Sequence, residues 1–329
     1  MTLISKFLVL ATMYSVQSPG AGREDPPQAD GGSLTFVYLH GFGGVKESPE
    51  FCENMREFIA EEKAPAEVIN YEWDSVRVDV LQAGASWIKA QEMADAEAPR
   101  FKREVIDRLE RQGQPYVLVG FSVGSRVVLR ALELAEGELA HLRGVYFLGS
   151  AMTKETTLKN RSALPQGMKI TNYHSPVRDM VHRMAFQFMS DTPGGGQVGF
   201  EDTEVFDNYP VSCSHAHKGV GLPIDYSGLA EAIAFLELYE AGEVIEGRTK
   251  LNWETRVMEG EIWWNRLRTL PAAGAGGGMA EIVLEQHTVR PGYYRALRID
   301  PGGERLRVAR GENLHAILAE LGVRPGLER

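Results

Sequence analysis

The sequence predicts an α/β fold: a mostly parallel six-stranded sheet with helices on both faces, followed by a small C-terminal β-rich appendage. Three observations carry this. Leu34–Leu39 and Gly144–Gly149 are near-continuous apolar runs, as strands buried on both faces require. Segments with apolar residues three and four apart alternate with such runs, which is the pattern of crossover helices between parallel strands. After about residue 245 the character changes to short alternating runs and hairpin signals.

Taken in order, residues 1–32 form a leader and linker. Lys6 precedes an apolar run from Phe7 to Val16, and Ser18, Gly20 and Ala21 follow. That is the length of a secretory signal, so a cytoplasmic and an exported protein both stay open. Residues 17–32 are rich in Pro, Gly, Gln and Asp, a linker composition. The main unit spans 33–245. Its first strand, Leu34–Leu39, runs into His40-Gly41-Phe42-Gly43-Gly44. A helix at about 49–62 presents Phe51, Met55, Phe58 and Ile59 on one face. Glu67–Trp73 is a second strand, and Ala85–Arg111 is a long helix kinked at Pro99. The strand from Tyr116 stops at Gly120, and a helix with Val127, Val128, Ala131, Leu132 and Leu134 inward begins after Ser122. Gly144–Gly149, Met168–His174 and Tyr209–Cys213 are the remaining strands. A helix over 227–240 closes the unit, with Leu229, Ile233, Leu236 and Leu238 inward.

The appendage spans 246–329. Trp253, Trp263 and Trp264 are placed to pack it on the main unit, and Ala272–Gly278 reads as a linker or long hairpin loop. Ile282–Val289, Tyr293–Ile299 and Arg305–Val308 read as short strands, with a turn at Pro301-Gly302-Gly303. A helix over 312–321 ends at Gly322.

A formal charge of −10 argues against a nucleic-acid partner, which calls for a basic face. No stretch reaches the ~20 apolar residues of a transmembrane helix. Two cysteines, Cys52 and Cys213, build neither a disulfide framework nor a zinc cluster. The glycine run after the first strand lacks phosphate-loop spacing, because Glu47 follows Lys46.

The chemistry concentrates at expected strand ends, where a parallel sheet binds its ligand. Gly120-Phe121-Ser122-Val123-Gly124 has the G-x-S-x-G form of a nucleophile elbow, and it stands between a strand and a helix as that turn requires. Gly120 and Gly124 let strand and helix pass closely. A serine at this turn is equally suited to capping the helix. A nucleophilic serine needs a base, and the base needs an orienting acid. Asp179, five residues past His174, fits the acid and would equally cap a helix through Val181–Phe188. Asp191, Asp202 and Asp207 stand in looser context. Two histidines follow the last strand, and His217 is preferred as base with His215 as the alternative. The His215-x-His217 pair lacks a third metal ligand at motif spacing, so neither metal nor cofactor is expected. The N–H groups of Val123 and of Phe42 are the expected oxyanion donors. His40 is read as holding its loop in shape, and His174 and His182 as structural. Met184, Phe186, Phe188 and Met189 are candidates for an acyl pocket and equally for a helix core.

Tyr38 to Gly43, Gly120 to Gly124, Asp179 and His217 together resemble the α/β-hydrolase superfamily of serine esterases and lipases, over about residues 33–240. Tyr71-Glu72-Trp73-Asp74-Ser75, Trp87 and Gly120 to Arg126 also look like the lipase-like domain of transmembrane-and-coiled-coil-domain proteins. This chain lacks that group's membrane helices, so membrane association does not carry over. It also has no room for the first two strands of the full hydrolase sheet, which implies a reduced one. The resemblance implies a serine hydrolase acting on small-molecule or lipid esters through an acyl-enzyme. Amidase, thioesterase or acyltransferase chemistry on the same scaffold, and a hydrolase-like binding protein, remain alternatives.

Overall fold

A computed structural model of the chain describes residues 33–41, 47–75, 83–176, 192–211, 226–241, 264–273, 279–287, 293–299, 305–311 and 314–320. It also describes Asp179, His182, Arg183, Phe186, Ser190, Cys213 and His215. The leader, Trp253, Trp263, the Pro301 turn and Gly322 lie outside the described residues.

Six strands form one parallel sheet. They are β1 (Leu34–Leu39), β2 (Ala66–Tyr71), β3 (Tyr116–Phe121), β4 (Leu142–Leu148), β5 (Ile170–His174) and β6 (Phe206–Pro210), in the order β2-β1-β3-β4-β5-β6. This is the six-stranded parallel sheet with helices on both faces that the sequence predicts. Pleating sorts the side chains onto two faces. Leu34, Phe36, Tyr38, Val117, Val119 and Phe121 pack in a cluster with α1 (Glu47–Glu62). Val37, Leu39, Tyr116 and Leu118 pack in the other with α2 (Ala83–Phe101), α3 (Asp107–Gln112) and α4 (Gly124–Glu133).

Local deviations have causes. The long helix after β2 passes through Pro99 and opens into a π turn at Lys102–Ile106 before α3 resumes. Proline and π turns are the two commonest sources of helix bends, and here they are three residues apart. Leu134, expected inward, is exposed, because α4 ends at Glu133 and Leu134 is its C-cap. The last strand of the sheet is Phe206–Pro210, earlier than the expected Tyr209–Cys213. Val211 and Cys213 are buried but continue beyond it.

Two further helices complete the main unit, the short α5 (Gly195–Val198) and the longer α6 (Ala230–Ala241). Ala230, Ala232, Ile233, Ala234, Phe235, Leu236 and Leu238 of α6 are all buried. A helix with this many buried apolar positions has to be covered on more than one side. One cover is α1, whose Phe58 meets Phe235 edge-on at 6.4 Å. The other is the appendage.

The appendage is an antiparallel sheet of four strands, β7 (Trp264–Ala273), β8 (Met279–His287), β9 (Tyr294–Ile299) and β10 (Arg305–Gly311), in the order β10-β9-β8-β7, followed by α7 (Leu314–Glu320). Ala272 and Ala273 therefore belong to a strand, paired with Ala280 and Met279, while residues 274–278 lie outside the described residues. Leu267, Leu270, Ile282, Leu284, Tyr294, Ala296, Ile317 and Leu318 join the same buried cluster as α6. Tyr173 of β5 donates to the Leu267 carbonyl at 2.7 Å, and Gln286 donates to the Gly228 carbonyl at 2.8 Å. The second sheet is thus continuous with the core. No helix among the described residues is long and apolar enough to cross a membrane.

Candidate active site

From β1 the chain turns to β2 on one side and then to β3 on the other. The order reverses between β1 and β3, and a crevice opens at such a switch point beyond the strands' carboxyl ends. His40 and Gly41 leave β1 there, and Ser122 leaves β3.

Ser122 has φ = +52°, in the left-handed region that a residue with a Cβ enters only at a cost of about 1–2 kcal/mol. The strain is held by the neighbours. The Ser122 N–H donates to the Leu148 carbonyl at 2.9 Å, and its own carbonyl accepts from Ala151 at 3.1 Å. A Cβ on Gly120 would stand 2.6 Å from the Cα of Ser125, and one on Gly124 would stand 2.6 Å from the His40 carbonyl oxygen. The elbow glycines are thus required by close packing of strand, helix and the β1 loop. Gly41 presses on the same spot, since a Cβ there would lie 2.7 Å from Cβ of Ser122. Val123 is the N-cap of α4, and no acceptor among the described residues takes its N–H. That donor, at the positive end of the helix dipole, is available for an anion beside Ser122. Phe42 lies outside the described residues.

Across from the elbow stands Asp179, 1% exposed. Its Oδ1 accepts the N–H of His182 at 3.1 Å, and its main-chain carbonyl accepts the N–H of Arg183 at 3.0 Å. That is helix capping. Its Oδ2 accepts a hydrogen bond from Nδ1 of His215, and the hydroxyl of Tyr226 donates to the same oxygen at 3.4 Å. One carboxylate therefore caps a helix start and binds an imidazole at the same time. Burial alone would raise the Asp179 carboxyl. The charge and hydrogen bond of His215, with the His182 N–H, outweigh burial and hold it below its ordinary value.

The imidazole of His215 is seated by rings. Phe121, the residue before the elbow serine, stacks on it at 4.7 Å, His182 stacks on it at 5.3 Å, and Tyr226 meets it edge-on at 5.3 Å. Gly149, at φ = +51°, closes the seat, since a Cβ there would lie 2.5 Å from Cε1 of His215. The ring that the structure brings to Asp179 is the alternative base. His217, the preferred one, lies outside the described residues.

The remaining candidates are dispersed. His40 is buried, stacked on Trp73 at 5.6 Å, and its carbonyl accepts from the Trp73 indole at 3.1 Å, which fits a loop-shaping role. His174 packs against the Gln197 carbonyl. Asp202 is bound to Arg161 and Thr157 near the surface, and Asp207 pairs with Lys169 at 3.3 Å. Asp191, Met184, Phe188 and Met189 lie outside the described residues. Phe186 is buried edge-on against Trp87 at 5.4 Å. His182 and Tyr226 are the residues sequence reasoning did not bring to this site. No group of three or more His, Cys, Asp or Glu placed to hold a metal occurs among the described residues.

No protein-family model matches the chain, and no curated protein does. Solved structures similar to it include a carboxylesterase from Mesorhizobium loti, with 13% identity over 65% of this chain and 90% of that one and a TM-score of 0.33. The catalytic core of acetyl xylan esterase from Trichoderma reesei matches with 11% identity over 63% and 95%, at a TM-score of 0.36. LpqC, a poly(3-hydroxybutyrate) depolymerase from Bordetella parapertussis, matches with 11% identity over 66% and 84%, at 0.37. At such identity and superposition the chemistry of these proteins does not transfer, and the site rests on its own geometry.

Proposed function

We propose that this chain is a serine hydrolase that cleaves carboxylic esters through an acyl-enzyme, with Ser122 as nucleophile, His215 as base and Asp179 as orienting acid. One observation carries the reading. A serine strained into the left-handed region at a strand-to-helix turn directly follows Phe121, whose ring packs on His215, and His215 is bound through Nδ1 to a buried carboxylate.

The geometry supports each role. Asp179 on Nδ1 leaves Nε2 as the nitrogen that takes the Ser122 proton. Ser122 Oγ then bonds to the acyl carbon, and the carbonyl oxygen becomes an oxyanion. The N–H of Val123, the N-cap of α4, is proposed as one donor to it and the Phe42 N–H as the second. His215 returns the proton to the departing alcohol, and the acyl-enzyme forms as the tetrahedral adduct collapses. Water, deprotonated by the same ring, releases the acid. The buried seat of His215 raises the value of each charge contact by keeping water out.

Fluorophosphonate labelling tests the reading directly. The wild type is expected to label once, and Ser122→Ala not at all. A wild type that does not label, or labelling that survives Ser122→Ala, overturns it. Nitrophenyl esters of graded chain length assayed beside the matching anilides and thioesters then separate esterase from amidase and thioesterase.

A further inference from the structure

A second histidine is built into this site. His182 is buried, and its ring is nearly parallel to that of His215, 13° apart. Its Nε2–H donates to the Ser150 carbonyl at 2.9 Å, so this nitrogen carries the proton and the ring is fixed as one tautomer. Its main-chain N–H donates to Asp179, the acid that binds His215. Nδ1 is closed off from solvent and meets no hydrogen-bond partner among the described residues. Its far side is packed as tightly as its near side. Phe186 lies against it at 4.7 Å, and a Cβ on Gly194 would stand 2.5 Å from its Cε1. A ring needed only to fill space would be served better by phenylalanine or leucine, since a buried unpaired nitrogen costs stability.

Resting on the serine-hydrolase reading, we propose that His182 is a positioning residue, a neutral ring that forms one wall of the His215 seat and ties that wall to the Asp179 carboxylate. With Phe121 on the opposite face, it keeps Nε2 of His215 aimed toward the elbow and excludes water from the ring. Being neutral, it adds no charge that would oppose proton uptake by His215. Burial, and then the charge of His215 when protonated, push His182 down to about 4, against the pull of Asp179. Among the described residues, the titratable groups packed against His215 are Asp179, Tyr226 and His182, and of these Asp179 carries the charge at neutral pH. Tyr226 is held protonated, its burial and the Asp179 charge raising it well above the ordinary phenol value.

The test compares His182→Ala and His182→Phe with the wild type in two measurements. One is the pH profile of fluorophosphonate labelling. The other is the NMR titration of His215 Cε1–H in histidine-labelled protein on a Ser122→Ala background. His182→Ala admits water to one face of the imidazole and better solvates its charged form. The His215 midpoint is expected to rise by roughly half a unit or more. The labelling rate at neutral pH should fall about tenfold as the ring loses its wall. His182→Phe keeps the wall and loses the Ser150 bond, so it should restore the midpoint and recover most of the rate. If His182→Ala is too unstable, His182→Gln serves, since it has no ring but can still reach Ser150. A His215 midpoint and labelling profile unchanged in both ringless variants overturn the proposal. Loss as deep as in Ser122→Ala with His215 titrating normally also overturns it, because His182 would then be handling the proton itself. A wild type that does not label at Ser122 overturns the parent reading and this one with it.

Discussion

Asp179 and Glu231 are two carboxyls withdrawn from water, and their surroundings push them in opposite directions. At the carboxyl ends of the strands, Asp179 receives two main-chain N–H groups, the His215 ring and the Tyr226 hydroxyl, and it stays ionised below its ordinary value. At the junction of α6 with the second sheet, Oε1 of Glu231 is enclosed without a hydrogen-bond donor among the described residues. The Tyr294 hydroxyl, itself buried, comes near Glu231 and Gln286 without a well-aligned bond to either. Burial, followed by the charge of Glu61, raises Glu231 to about 7. Burial is common to both groups, so it does not decide the charge. The sign of the neighbouring charge, together with the hydrogen-bond donors, does. A fully served carboxylate can orient a base, while a poorly served one is a neutral plug sensitive to pH.

The largest effect comes from breaking the served side. Asp179→Asn keeps the shape and the helix cap but offers His215 an amide, which favours the wrong tautomer. Turnover is expected to fall about 10⁴-fold with the fold retained, by analogy with the same change in other triads. Glu231→Gln, the matching change on the other side, should leave turnover within twofold. Ester hydrolysis rates together with circular dichroism check both. Equal losses would mean that the two carboxyls do not differ in role.

The pH dependence of stability sharpens the contrast. Glu231 is raised from 4.5 to about 7 in the fold, so as pH rises the unfolded chain gives up its proton first. Its contribution is complete below about pH 4.5 and is lost as pH climbs through 7, by up to about 3 kcal/mol. His182 is lowered from 6.5 to about 4, so as pH falls the unfolded chain takes up its proton first. Its contribution is complete above about pH 6.5 and is lost as pH drops through 4, by a similar amount. Urea unfolding across pH 4–8 should show Glu231→Gln gaining relative to the wild type on the alkaline side. His182→Phe should gain on the acid side. Parallel curves for all three proteins would refute both assignments.

Much of this arrangement is legible in the sequence. The extent of β1 is read to the residue because both faces are buried and its apolar run has no ambiguity. Ser122 is legible because a strand, a Gly-bracketed serine and a helix occur in immediate succession. Asp179 is singled out by its distance past His174 and preferred as the acid over a helix cap, and in the fold it caps His182 while binding the His215 ring. The base is where sequence reading runs out. His215 and His217 are two residues apart, so in extended chain they project to the same side, and alternation gives no ground for choosing between them. The strand β7 is missed because Arg266, Arg268 and Pro271 interrupt its apolar pattern, and it tolerates them at the edge of its sheet, where its strand partner among the described residues is β8. His182 and Tyr226 carry no motif. Only the folded chain brings them to the His215 ring.

Left-handed glycines give a smaller, more local comparison. Gly149 at φ = +51° and Gly113 at φ = +67° both resist a side chain on backbone grounds, so alanine at either should cost about 1–2 kcal/mol. They differ in what the new Cβ meets. At Gly113, a C-cap, the nearest atom is 3.8 Å away on His141, whereas at Gly149 it is Cε1 of His215 at 2.5 Å and the Tyr226 ring at 2.8 Å. Gly149→Ala should therefore lose at least tenfold in turnover by displacing the base, and Gly113→Ala should lose stability alone.

The smallest expected effect isolates the phenol at Asp179. Tyr226→Phe keeps the edge-on ring against His215 and removes a single long hydrogen bond to Oδ2, which is already bound by the imidazole. A bond of that length to a charged acceptor is worth about 1 kcal/mol, so turnover should fall several-fold. With one donor fewer, Asp179 moves toward the condition of Glu231, and its carboxyl should titrate at higher pH. The acid limb of the rate profile would then shift upward by a fraction of a unit, without the stability loss expected of Gly149→Ala. If Tyr226→Phe behaves as the wild type in both rate and pH profile, three donors already suffice to keep Asp179 ionised. The contrast between the two carboxyls would then rest on the main-chain N–H groups and His215 alone.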